Sequence, residues 1–131
     1  MKKVAHVLLI DDDNTTNFFN KIVIKKADVC DNVHSVLTAQ DAIEYLQTRF
    51  EEGQPLPDVI FLDINMPEMN GWEFMEVYTG LDIPKDNVSI YMLSSSQNDE
   101  DVQLAKSHPL ITDFLKKPLN ASQLTNDLVL A

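Results

Sequence analysis

The stretch DVIFLDINMPEMNG, residues 58–71, carries the reading of the fold. Its first half, VIFL, is apolar at consecutive positions. A strand with one wet face alternates apolar and polar residues, so a run this uniform reads as buried on both faces. Strands covered on both sides belong to parallel sheets, whose crossovers lay helices above and below. The second half holds what such a strand leads into. A carboxylate, Asp63, is followed by the loop NMPEMNG (65–71) and by WEFMEVY (72–78), which reads as a short helix.

The same unit recurs along the chain. VAHVLLI (4–10) is a short aliphatic, β-branched run and reads as a first strand. Behind it Phe18, Phe19, Ile22 and Val23 repeat with the spacing of an amphipathic helix, and Lys25 and Lys26 suit its C-terminus. VHSVLT (33–38) reads as a second strand. Thr38 with Asp41 resembles a capping box, and Ala39, Ala42, Ile43 and Leu46 form a helix face after it. EEGQPLP closes that helix. VSIYML (88–93) is the fourth strand, and Asp99, Glu100 and Asp101 fall in a first helical turn where their charge suits the dipole. ITDFL (111–115) is the fifth strand, and Leu124 and Leu128 lie one turn apart in a final helix. Five strand–helix repeats predict an α/β fold, a doubly wound (βα)5 sheet with right-handed crossovers. Sites in such sheets form beyond the carboxyl ends of the strands.

Composition narrows the function. The 131 residues fit one domain, 44% hydrophobic and 24% charged. Acidic residues outnumber basic ones by 21 to 10, a formal charge of −11, which argues against nucleic acid or an anionic membrane as partner. The single cysteine, Cys30, allows no intramolecular disulfide and reads as a packing or loop thiol in a reducing compartment. No apolar run has the length of a membrane span, and residues 4–10 are too short for a signal sequence and are interrupted by His6. A cytoplasmic location is expected.

The polar residues at the strand ends are Asp11, Asp12 and Asp13; Asp63 and Asn65; Ser94, Ser95 and Ser96; and Lys116, Lys117 and Pro118. Each alone is ordinary. Brought to one sheet edge, they supply carboxylates for a hard cation, a hydroxyl donor and a fixed cation, a complete set for handling a phosphoryl group. Crowded carboxylates explain themselves if Mg2+ sits among them. Asp63 is suited to attack phosphorus and form an acyl phosphate, with the metal, Lys117 and a serine hydroxyl neutralising charge. Plainer roles go to the rest: Asp13 caps or solvates the first helix, residues 14–17 are a solvated helix start, Trp72, Phe74 and Met75 pack, and His108 is a solvated loop residue.

The motifs LLIDDD, FLDINMPEMNG, YMLSS and FLKKPL, in that order, resemble the receiver domain of bacterial two-component response regulators, and the resemblance covers nearly the whole chain. It implies the flavodoxin-like strand order 2-1-3-4-5. It also implies that Asp63 is the phosphoacceptor and that Asp11 and Asp12 are the acidic pair. Asp12, Asp63 and the backbone carbonyl of Asn65 then hold Mg2+, with Asp11 acting through water. Ser94 takes the switch hydroxyl position, Phe114 the aromatic switch position, and Lys117 the lysine that pairs with the phosphoryl group, before a commonly cis Lys–Pro bond. The implied partners are a histidine kinase or phosphotransfer protein and a downstream protein target met on strand four to helix five. The expected domain is one receiver over residues 1–131 with no output domain, which assists its own phosphorylation without turning over a small-molecule substrate. The sequence departs from many relatives at KSHPLI (106–111), where a small Ala-Gly-rich turn is usual.

Two other readings compete. Asp11-x-Asp13-x-Thr15 matches the nucleophile motif of haloacid-dehalogenase-like phosphatases, with Asp11 as nucleophile and Asp13 as general acid/base. The chain is short for that class, has no acidic pair after a strand beyond the lysine, and leaves residues 63–71 unexplained. A binding-only pseudo-receiver is disfavoured because no site position is lost. An EF-hand reading of DDDNTT fails for want of the loop glycine and the final glutamate.

Overall fold

The computed structural model describes residues 4–95 and 98–124. Its order is β1 (Val4–Ile10), α1 (Asn14–Ala27), β2 (Cys30–Val36), α2 (Ala39–Glu51), β3 (Val59–Asp63), α3 (Gly71–Gly80), β4 (Ser89–Ser94), α4 (Asp99–Ser107) and β5 (Ile111–Lys116). All four strand pairs are parallel and the sheet order is β2-β1-β3-β4-β5. The expected doubly wound architecture is present. The helix expected across Leu124 and Leu128 runs into residues outside the described ones.

Uniformly apolar strands serve two cores at once because successive side chains point to opposite faces. On one face Leu8, Ile10, Ile60, Leu62, Ile90 and Met92 meet Ala42 and Leu46 of α2, Phe74, Met75 and Tyr78 of α3, and Ala105 of α4. On the other, Val7, Leu9, Val59, Phe61, Tyr91 and Leu93 meet Ile24 of α1 together with Leu119 and Leu124. Phe74 and Met75 pack as expected. Trp72, half-buried, also donates from Nε1 to Asp101 Oδ1 at 3.0 Å, joining the first turns of α3 and α4.

Two elements differ from their sequence reading. The second strand is Cys30–Val36, not 33–38. It pairs with β1 from Val4↔Cys30 to Ile10↔Val36, so β1 sets its limits. Thr38 lies beyond the strand and is the N-cap of α2, as its spacing to Asp41 predicts, its hydroxyl accepting from Asp41 N at 3.0 Å.

The larger difference is in α1. Phe18, Phe19 and Ile22 are 67%, 49% and 37% exposed, whereas Asn17, Asn20 and Ile24 are buried. The helix is turned so that two asparagines face the sheet and the aromatic residues face outward. Residues 14–17 are thus not uniformly solvated, because Asn17 is 2% exposed. Asp13 does cap α1, accepting from Thr15 N at 2.9 Å. His108 ends α4, and its Nδ1 accepts from Leu110 N at 3.1 Å, so it is a turn residue rather than merely a solvated one.

Candidate functional site

Parallel strands end together, so the polar residues that follow them meet at one edge. Asp11 follows β1, Asp63 closes β3, Ser94 closes β4 and Lys117 follows β5. Asp63 is held from both sides. Ile64 N donates to Leu93 O at 3.3 Å, and Gly71 N donates to Ile64 O at 2.8 Å, folding the loop back on the strand. A capping box between Asn70 and Glu73 then starts α3. Gly71 is required by close approach: a Cβ there would lie 3.0 Å from Asp63 O and 3.0 Å from Ile64 Cα.

Lys117 Nζ lies 2.7 Å from Asp11 Oδ2 and 3.2 Å from Asp63 Oδ1, so one ammonium serves two carboxylates. Lys117 is itself positioned by its backbone N, which donates to Ser94 O at 2.8 Å, and it precedes Pro118 through a cis peptide bond. Ser94 is buried at the C-terminal end of β4. Asn65 is exposed in the loop two residues after Asp63. Phe114 is half-buried on β5 and packs against the core shared by α2, α3 and α4. Ser95 lines a cleft beside the site with Thr15, Thr16, Phe19, Asn20, Lys117 and Pro118. Ser96, the remaining serine of the sequence set, lies outside the described residues.

The electrostatics are those of a charge deficit. Burial is the main cause that pushes Asp63 up from 3.8 to about 6, and the neighbouring Asp11 and Asp12 charges add to it, against the opposing pull of Lys117. Burial works against the Lys117 ammonium, but the hydrogen bonds and charges of Asp11 and Asp63 outweigh it and hold its pKa above the usual lysine value. One lysine does not balance three clustered acids.

Asp11, Asp12 and Asp63 each offer a carboxylate oxygen, and these oxygens all lie within 4.8 Å of one another. Asp11 and Asp63 are buried and Asp12 is exposed, which leaves an open side toward solvent. A donor set made only of oxygens, short of positive charge, fits a hard divalent cation that keeps some water ligands. Asp13 is exposed and engaged in capping, through Thr15 N and the Thr16 hydroxyl, so it is not part of this cluster.

Sequence reasoning missed Asn17. Its Nδ2 donates to Asp11 O at 3.0 Å and to Val36 O at 3.4 Å, beneath the acidic loop. The one available signal was an asparagine three residues before Asn20 and seven before Ile24, a helical spacing hidden by the more conspicuous phenylalanines.

Comparisons with known proteins agree with this geometry. The model of the response regulator receiver domain matches residues 7–129. A two-component response regulator from Cytophaga hutchinsonii has a crystal structure with a TM-score of 0.90 and 34% identity, over 95% of this chain and 94% of that one. A response regulator receiver protein from Dyadobacter fermentans gives a TM-score of 0.79 and 30% identity, over 92% of both chains. A protein-glutamate methylesterase/protein-glutamine glutaminase from Agrobacterium fabrum is 37% identical over 79 residues, which is 58% of this chain. The chain spans 20% of that relative's length and 52% of the rice two-component response regulator ORR1. With its sheet order, its acidic cluster and these matches taken together, the chain belongs to the response regulator receiver family of two-component signalling.

Proposed function

We propose that this receiver accepts a phosphoryl group from a partner's phosphohistidine on Asp63 and signals through phosphorylation-dependent protein binding. The observation that carries the reading is the convergence of Asp11, Asp12, Asp63 and Lys117 at one sheet edge, with Asp63 buried and bound to a single shared ammonium. A carboxylate oxygen of Asp63 attacks phosphorus as the phosphorus–nitrogen bond to the donor imidazole breaks. Its electron pair leaves with the imidazole, and the product is an acyl phosphate. Lys117 balances charge on the incoming phosphoryl oxygens, and the Ser94 hydroxyl donates to one of them. Asp12, Asp63 and the Asn65 carbonyl would hold Mg2+, with Asp11 acting through water. When bound, the ion offsets the negative charge of carboxylates and phosphoryl group alike.

Phosphorylation adds charge at Ser94 and Lys117, which bound the segment leading into α4 and the end of β5. Phe114, packed among the residues of that face, is the aromatic that moves with it. The downstream target reads β4, α4 and β5. The donor docks on α1. Phe18, Phe19 and Ile22 form an exposed apolar ridge, Phe19 shares a cleft with Lys117, and Lys21, Lys25 and Lys26 make the helix basic in an acidic chain. A donor helix with apolar and acidic residues beside its histidine complements that face. The chain acts in the cytoplasm; among the described residues no helix is long and apolar enough to cross a membrane.

Treatment with acetyl phosphate and Mg2+, followed by mass spectrometry, tests the reading. Label on Asp63 that is absent from Asp63→Asn supports it. Label that persists in Asp63→Asn but is lost in Asp11→Asn favours the phosphatase chemistry instead. Absence of label on the unaltered chain favours a binding-only domain.

A further inference from the structure

We propose that Asn17 is the positioning residue that holds Asp11 in place for the cation and for Lys117; the inference rests on the Mg2+-dependent phosphoacceptor reading above. Asn17 sits in the second turn of α1, 2% exposed, on the side facing the sheet. By stability alone it is a poor residue there. Asparagine is an indifferent helix former. Its Oδ1 is buried with no hydrogen-bond partner among the described residues, which is unfavourable. A leucine would fill much the same space against the sheet and leave no such orphan.

What the carboxamide does is geometric. Its Nδ2 donates to Asp11 O at 3.0 Å and to Val36 O at 3.4 Å. Those two carbonyls lie where the β1–β2 ladder ends, since Ile10↔Val36 is its last register pair. Beyond that pair, Asp11 N reaches Val36 O at a long 3.3 Å. Asn17 therefore closes the frayed end of the ladder and fixes the peptide from which the Asp11 side chain projects.

The Asp11 carboxylate is used at both ends. Oδ1 accepts from Asp13 N at 3.0 Å, and Oδ2 accepts from Lys117 Nζ at 2.7 Å. One of its oxygens also lies within 4.8 Å of a carboxylate oxygen of Asp12 and of Asp63. A small rotation of the Asp11 peptide moves that carboxylate relative to both Lys117 and the cation position. Asn17 touches none of the reacting atoms and acts through Asp11. The α1 helix thus presents polar groups inward at Asn17 because the acidic loop needs a donor there.

The test is Mg2+ titration by isothermal calorimetry on the full chain, with the rate of acetyl phosphate labelling measured at saturating Mg2+. Outer partners that orient metal ligands typically change affinity by 10–100-fold when removed. Asn17→Leu is expected to weaken Mg2+ roughly tenfold and to slow labelling even when Mg2+ saturates, because Lys117 and Asp11 are misaligned as well. Asn17→Ala, which leaves room for water to reach the two carbonyls, serves if the leucine variant does not fold. Ile24→Val, on the same buried face but away from the loop, is the stability control and keeps unaltered affinity and rate. Wild-type affinity in a folded Asn17→Leu or Asn17→Ala overturns the inference, as does equal loss in Ile24→Val. A wild-type chain that neither binds Mg2+ nor takes label overturns the phosphoacceptor reading itself, and this inference with it.

Discussion

Asp63 is predicted to destabilise the metal-free fold, and replacing it should stabilise the protein. Its side chain is 7% exposed and shares Lys117 with Asp11. Burial, then the charges of Asp11 and Asp12, raise it from 3.8 to about 6 despite Lys117. The folded state therefore keeps a proton that the unfolded chain releases between about pH 4 and pH 6. Because the folded state binds more protons across that window, stability falls as pH rises through it and levels off above. A rise of this size, in which the pull of Lys117 is already counted, corresponds to about 3 kcal/mol at full expression, and the burial cost of the replacing amide brings the expected gain nearer about 2 kcal/mol. Asp63→Asn keeps the shape and an oxygen for Lys117 but cannot ionise. In EDTA at pH 7.5 it should exceed the wild type by about 2 kcal/mol, with the advantage vanishing toward pH 4. Urea denaturation followed by far-ultraviolet circular dichroism at several pH values measures this, with the midpoints compared at constant slope. Saturating Mg2+ should then reverse the order, because it stabilises only the chain that binds it well. A variant no more stable than the wild type at pH 7.5 without metal would refute the reasoning, since Lys117 would then suffice for both carboxylates.

Three further predictions follow from other parts of the molecule. Gly71→Ala forces a Cβ to 3.0 Å from Asp63 O and Ile64 Cα, both backbone. It should cost about 1–3 kcal/mol in urea denaturation and slow acetyl phosphate labelling, and wild-type behaviour in both would show that the loop yields freely. Phe18→Ser with Phe19→Ser removes the exposed apolar ridge of α1. Transfer from a phosphohistidine protein should slow at least tenfold, about 1.4 kcal/mol, while labelling by acetyl phosphate stays unchanged; equal slowing of both would place the defect in the site itself. Burial, then the positive charge of Arg49 and of His34, lower the pKa of His6, whose Nε2 lies 2.5 Å from Tyr45 Oη. A lowered histidine gives stability that is present above its unfolded value of 6.5 and lost as pH falls below it. His6→Gln should flatten the acid-side loss below pH 6.5 in the same denaturation series, and an unchanged slope would contradict the assignment.

The parts of the fold legible in the sequence were those where one physical pressure acts. β1, β3 and β4 are covered on both faces, so burial alone dictates their uniform apolar runs, and their order fixed the doubly wound sheet. Asp63 was legible because it ends a uniformly apolar strand and the specific loop NMPEMNG (65–71) follows it. β2 was misplaced because it is an edge strand, whose limits come from pairing with β1 rather than from its own composition. α1 was misread for a deeper reason. Periodicity assumes that apolar residues turn inward, but here Asn17 turns inward and donates to Asp11 O and Val36 O, while Phe18 and Phe19 lie open. The pattern is inverted, and composition alone carries no sign of inversion. The sharing of Lys117 between Asp11 and Asp63 was likewise beyond sequence reach, since it depends on distances across β1, β3 and β5.

The bond between Trp72 Nε1 and Asp101 Oδ1 makes the molecule its own optical gauge. Trp72 is the chain's single tryptophan, and a carboxylate 3.0 Å from its indole nitrogen perturbs its excited state. Asp101 belongs to the first turn of α4, which follows the strand that ends at Ser94, whereas Trp72 belongs to α3, which is anchored through Gly71 to the Asp63 loop. Any displacement of α4 against α3 must stretch or break this bond and so change the colour and yield of the emission. Events at the Asp63 carboxylate that shift α4 would become readable in real time from unlabelled protein, although the carboxylate itself absorbs no useful light.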